Sequence, residues 1–124
     1  MNQFARILLL FTLIPIALLA CSSSNQEELT NEKAKQMIDA GEVEVIDVRS
    51  EEEYSQGHLQ HSLLIPLDDL QNRLDELDKN QPYLVVCRTG NRSSQTAEIL
   101  KSNGFTSVYN LKSGLSAWSY PLES

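Results

Sequence analysis

A chain of 124 residues, 41% hydrophobic and 22% charged, has room for one small domain and too ordinary a composition to stay disordered throughout. Its formal net charge of −7 argues against nucleic-acid binding, where cationic contacts to phosphate dominate affinity. The first twenty residues carry a single charge, Arg6, so the remainder holds nine basic residues against all seventeen acidic ones.

Met1 to Arg6 is a short, weakly basic start. Residues 7–20 form an apolar run interrupted only by Thr12 and Pro15, the length of a signal-peptide hydrophobic region and short for a membrane span. The run ends Leu18-Leu19-Ala20-Cys21, then Ser22-Ser23-Ser24-Asn25. A small residue followed by Cys resembles the lipobox of bacterial lipoproteins. That resemblance implies that residues 1–20 are removed and that Cys21 carries the lipid. Each buried methylene of such an anchor contributes about 0.8 kcal/mol, so several chains hold the protein on a membrane. An ordinary signal peptide, or an uncleaved anchor with a chance cysteine, is the alternative. Residues 21–28 are expected to be a polar tether reaching roughly 25 Å at about 3.5 Å per residue. Ser22 stands where an Asp would suggest inner-membrane retention. The expected location is therefore the cell envelope: the outer membrane facing the periplasm in a Gram-negative source, or the outer face of the only membrane in a Gram-positive one. With Cys21 in a thioether, Cys87 is the only free thiol in an oxidising compartment. It is a candidate reactive group, the simpler reading being a small buried hydrophobe.

The remaining residues, 29–124, read as one domain. Thr30 can cap a helix running to about Ala40, with Leu29 and Ala34 at staple spacing and Gly41 after its end. Residues 43–48 are rich in β-branched side chains and predict a buried strand. Ser50 and Glu53 have capping-box spacing, so a short helical turn begins there. Residues 63–65 are a second strand, stopped by Pro66. Leu67, Leu70, Leu74 and Leu77 recur at steps of three and four, which predicts an amphipathic helix with a core-facing stripe. Asn80-Gln81-Pro82 is a turn. Tyr83 and the run Leu84-Val85-Val86 suit a strand covered on both faces. Residues 87–92 lead into a helix over about 93–103, ended by Gly104. Residues 107–110 are a further strand, and residues 115–118 begin a last short helix, closed by Pro121. Alternating strands and helices predict a small α/β domain with a mainly parallel sheet flanked by helices.

Cys87 falls where a buried strand ends and a helix is about to start, the place where open parallel sheets bind ligands. Backbone N–H groups of such a loop converge, and the helix amino terminus adds partial positive charge. Arg88 and Arg92 add formal charges, and Gly90 permits backbone angles that a tight cradle needs. All of these favour a nucleophilic thiolate in an anion-binding nest.

Val45-Ile46-Asp47-Val48-Arg49, Glu53-Tyr54, Gly57-His58-Leu59 and Ile65-Pro66 resemble the first half of a rhodanese domain. Cys87-Arg88-Thr89-Gly90-Asn91-Arg92-Ser93 resembles its six-residue active loop, Cys-x-x-Gly-x-Arg, and the residue after it. Gly104-Phe105 and Gly114 through Trp118 resemble its last part. The likeness spans about Leu29 to Trp118, so a rhodanese-like α/β fold is expected. The resemblance implies a sulfurtransferase working by a ping-pong reaction. Cys87 takes the outer sulfur of thiosulfate or a similar anionic donor and passes it from a persulfide to a thiol, cyanide or protein acceptor. No metal or organic cofactor is implied, and the expected form is a monomer.

The loop N–H groups of Arg88, Thr89, Gly90, Asn91 and Arg92 are the expected substrate cradle, with the Arg88 side chain attracting the donor and Arg92 bracing the loop. Asp47, Arg49 and His58 are expected to be structural supports. The family often shows Gly-His-Ile-x-Gly-Ala, whereas this chain has Gly57-His58-Leu59-Gln60-His61-Ser62. The bulk at His61 predicts a slacker backbone there. The usual late glycine pair is Ser113-Gly114. Two other classes remain open: a cysteine-dependent phosphatase, whose cradle also runs from Cys to Arg, and a non-catalytic module that carries sulfur or binds partners. Four residues separate Cys87 from Arg92, one fewer than in those phosphatases, which favours a single sulfur atom over a phosphoryl group.

Overall fold

The computed structural model describes residues 27–124. The expected signal segment, Cys21 and the expected tether through residue 26 lie outside the described residues. Five strands form one sheet: β1 (Glu27–Leu29), β2 (Glu44–Asp47), β3 (Leu63–Leu64), β4 (Tyr83–Val86) and β5 (Val108–Leu111). Their order is β1-β5-β4-β2-β3, and every pairing is parallel. Four α-helices, α1 (Asn31–Asp39), α2 (Glu51–Ser55), α3 (Leu70–Arg73) and α4 (Asn91–Ser102), accompany it.

Period-two alternation along the central strand divides the core. Tyr83 and Val85 face one side, with Ile46, Leu70, Ala97 and Leu100, and Cys87 belongs to this cluster. Leu84 and Val86 face the other, with Ala34, Met37, Val45 and Leu111. All four residues of β4 are buried, because helices cover both faces. A fully buried leucine such as Leu100 contributes about 2–3 kcal/mol by leaving water.

Three regions away from the cysteine loop differ from the sequence reading. Glu27 and Glu28 do not extend the tether. They pair with Tyr109 and Asn110 as edge strand β1, which carries Leu29 into the core. Two exposed glutamates gave no apolar signal for a strand, and only the partner β5 supplies one. The leucine stripe is not one continuous helix. A 3-10 turn over Leu67–Asp69 leads into α3, and a second 3-10 turn covers Leu74–Glu76. The three-residue steps at both ends of the stripe match three residues per turn, and the four-residue step lies over α3. The leucines still face the core.

His61 is the third. Its backbone is not slack but left-handed, with φ 60°, the conformation a glycine adopts freely and a side chain at a cost of roughly 1–2 kcal/mol. The turn holds it there: the Ser62 N–H and hydroxyl both donate to the Leu59 carbonyl, at 3.2 and 2.6 Å, and the Tyr54 hydroxyl donates to the Ser62 carbonyl at 2.9 Å.

Candidate active site

Cys87 follows β4 directly and is fully buried. Two peptide segments interlock around it. The Leu115 N–H donates to the Cys87 carbonyl at 2.8 Å and the Ser116 N–H to the Arg88 carbonyl at 3.0 Å. The segments approach so closely that side chains are excluded. A Cβ at Gly90 would overlap the Lys112 carbonyl, and one at Gly114 would overlap the Arg88 carbonyl. Gly90 has φ 95° and Gly114 φ 69°, so both also need the left-handed region. The motif reading singled out Gly90. The importance of Gly114 comes from a contact across the fold.

Gly90 in this conformation caps α4, which begins at Asn91, two residues earlier than expected. The early start places Ser93 in the first turn, facing inward. The Cys87 sulfur accepts from the Gly90 N–H at 3.1 Å and the Ser93 N–H at 3.4 Å, and lies 3.3 Å from the Ser93 hydroxyl. Burial pushes the thiol pKa up. The Ser93 hydroxyl and N–H, with the N–H groups of Thr89 and Gly90, outweigh it, and the net direction is down. Ser93 was absent from the sequence-based site. Its signal was weak: a small polar residue directly after the loop, at a position that turned out to be fully buried.

Arg92 is engaged by a carboxylate. Its guanidinium makes a two-pronged pair with Glu53, at 2.8 and 2.9 Å, tying α4 to α2. Arg92 chiefly, helped by Ser50, holds the Glu53 carboxyl at a pKa of about 2. Ser50 and Glu53 also cap each other reciprocally at the start of α2. Arg88, Thr89 and Asn91 are exposed. Arg88 has no ion-pair partner among the described residues.

Asp47 and Arg49 form a buried pair, Arg49 Nη2 donating to Asp47 at 2.8 Å and to the Gly57 carbonyl at 2.7 Å. His58 stacks on Tyr54 with ring centroids 3.8 Å apart, and its Nδ1 lies 2.9 Å from the Tyr54 carbonyl, so that nitrogen is the donor. An open cleft of about 370 Å³ lies beside the loop, with Arg88, Glu53, Arg49 and Ser116 among its polar walls and Leu115 and Leu122 as apolar ones.

A parallel α/β domain with a buried cysteine at the carboxyl end of its central strand, in a nest that favours the thiolate, defines a class of cysteine-centred α/β domains. The family model for the rhodanese-like domain matches residues 30–120, and the chain belongs to that family. YrkF of Bacillus subtilis is 34% identical over 98 residues, 78% of this chain and 53% of YrkF, so the chain spans about half the length of that relative. The thiosulfate sulfurtransferase GlpE of Shewanella oneidensis is 30% identical over 95 residues, 77% of this chain and 94% of GlpE. A crystal structure of a rhodanese-like domain protein from Staphylococcus aureus superposes with a TM-score of 0.73 at 32% identity, covering 78% of this chain and 96% of that one.

Proposed function

We propose that this protein is a sulfurtransferase that moves a sulfane sulfur from thiosulfate, or a similar anionic donor, to a thiophilic acceptor through a Cys87 persulfide. The observation that carries this reading is the Cys87 sulfur with two backbone N–H groups and a hydroxyl aimed at it. The thiolate attacks the outer sulfur of thiosulfate. The new bond is Cys87 Sγ–S, the donor S–S bond breaks, and its electron pair leaves on sulfite. Nest donors then face the persulfide, and exposed Arg88 supplies the cation that draws the dianion in. Cyanide, a thiol or a protein sulfur acceptor next attacks the outer sulfur and returns Cys87 as thiolate. This splits one difficult transfer into two and uses no metal or organic cofactor.

Two features weigh against phosphate chemistry in the same cradle. Only four residues separate Cys87 from Arg92. Glu53, the nearby carboxyl that would have to protonate a leaving alkoxide, is held ionised by Arg92. Mass spectrometry after thiosulfate treatment should show one added sulfur on Cys87. Cys87→Ser should remove thiocyanate formation while leaving thermal unfolding close to wild type. Persistent thiocyanate formation in that variant, or aryl-phosphate cleavage by wild type exceeding it, would overturn the assignment.

We also propose that Cys21 carries a lipid and holds the domain at the cell envelope, on the support of the Leu-Leu-Ala-Cys ending of the apolar run. Cells fed a tagged fatty acid should label the wild type and not Cys21→Ser. An unlabelled wild type refutes the anchor and leaves the sulfur chemistry untouched.

A further inference from the structure

The family model ends at residue 120, yet the chain beyond it is built into the cleft. The His58 N–H donates to the Glu123 carbonyl at 2.7 Å and the Glu123 N–H to the His58 carbonyl at 2.8 Å, a two-bond antiparallel bridge. This bridge lays Leu122 against Gly57: a Cβ added there would touch Leu122 Cδ1 at 3.5 Å. The Gly57 carbonyl is itself held by buried Arg49. Leu122 is thus positioned from both sides, yet it remains 41% exposed, with an apolar surface turned to the cleft that Leu115 and Arg88 also line.

The walls of this cleft have unequal uses. Arg49 is neutralised by Asp47 and Glu53 by Arg92, which leaves Arg88 as the cation for an anionic donor. Thiosulfate is a few-atom dianion. It has no use for an apolar wall, and a cleft of about 370 Å³ is far larger than it requires. Cyanide is smaller still. Volumes of this order suit small organic molecules with an apolar body and one or two fixed polar ends.

We propose that Leu122, held by the His58–Glu123 bridge and acting with Leu115, is a specificity-determining residue that selects organic thiol acceptors with an apolar group close to the sulfur. This rests on sulfur transfer through Cys87. The acceptor thiolate attacks the outer sulfur of the protonated persulfide. The bond between the two sulfurs breaks with its electron pair going to Cys87 Sγ, and the acceptor leaves as a hydropersulfide that keeps the proton. The apolar body covers Leu122 and Leu115 while the attacking sulfur lies over the nest.

The test is steady-state sulfite release at saturating thiosulfate with three acceptors: phenylmethanethiol, 2-mercaptoethanol and cyanide. Wild type is compared with Leu122→Ser, Leu122→Ala and Leu122→Met, each checked by thermal unfolding. A mis-sized apolar contact of this kind is worth roughly tenfold in discrimination. For Leu122→Ser we expect the KM for phenylmethanethiol to rise about tenfold relative to that for cyanide, with Leu122→Ala intermediate and Leu122→Met near wild type. A merely structural role would move all three acceptors together, and that result, or a flat ratio across the series, overturns the assignment of Leu122 alone. A wild type that releases no sulfite with any acceptor overturns the sulfur-transfer reading and this inference with it.

Discussion

At the scale of single residues, the proposed chemistry depends on how four donors outweigh burial at one sulfur. Fully buried Cys87 would ordinarily hold its proton, and Ser93 is the principal group opposing that. Ser93→Ala removes the hydroxyl and keeps the N–H, so the Cys87 pKa should move up. The sign follows directly: the rate of iodoacetamide inactivation tracks the thiolate, so its pH midpoint should lie higher in the variant, with slower inactivation below it. Because the thiol pKa is lower folded than unfolded, the thiolate adds stability above the unfolded value. That stability is lost as pH falls through the folded value. The variant should show less of this pH dependence in urea unfolding. An unchanged inactivation midpoint would mean that Ser93 packs against the sulfur without tuning it.

At the scale of elements, α4 is aimed by what grips its first turn. Gly90 and Gly114 let two loops interlock below it, and the Arg92–Glu53 pair clamps it to α2 from the side. Glu53→Gln should cost about 1 kcal/mol, a value kept low because both side chains are about one-third exposed and screened by water and salt. The Glu53 pKa is lowered from 4.5 to about 2, so its contribution is present above the ordinary carboxylate range and fades as pH falls toward 2. Urea unfolding across that window should therefore show wild type and Glu53→Gln converging. Curves that stay parallel down to the acid limit would assign the difference to the lost capping of α2 at Ser50. The leucine segment after β3 shows the same logic. Its apolar stripe is what the core requires, while the backbone beneath the stripe changes from 3-10 to α and back.

At the scale of the whole molecule, a wholly parallel sheet separates the two ends of every strand. The chain enters β1 at the amino end of the sheet, and Cys87 lies past the carboxyl end of β4. The edge strand is small, but it closes the core over α1: Leu29 is buried and its carbonyl accepts from the Lys112 N–H at 3.1 Å. Although the family model starts only at residue 30, Leu29→Ala should cost about 2 kcal/mol in denaturant unfolding, the low end for a buried leucine because an edge can relax. An unchanged midpoint would show that β1 unfolds separately from the rest.

The α/β class, the central strand over residues 83–86 and the position of Cys87 between that strand and a helix were legible in the sequence. Each rests on local signals: β-branched runs, caps, and a glycine-bearing loop between two periodic segments. The Ser50–Glu53 capping box was legible for the same reason, since both partners lie within one turn. Features decided by contacts distant in sequence were not. Glu27 and Glu28 form a strand only because β5 offers an edge, and Gly114 is required only because Arg88 lies against it. Arg92 finds Glu53 across thirty-nine residues, and Leu122 reaches the cleft only because Glu123 pairs with His58. Local propensity acts within a turn or a strand, whereas the walls of the cleft come from segments that become neighbours only when the sheet assembles.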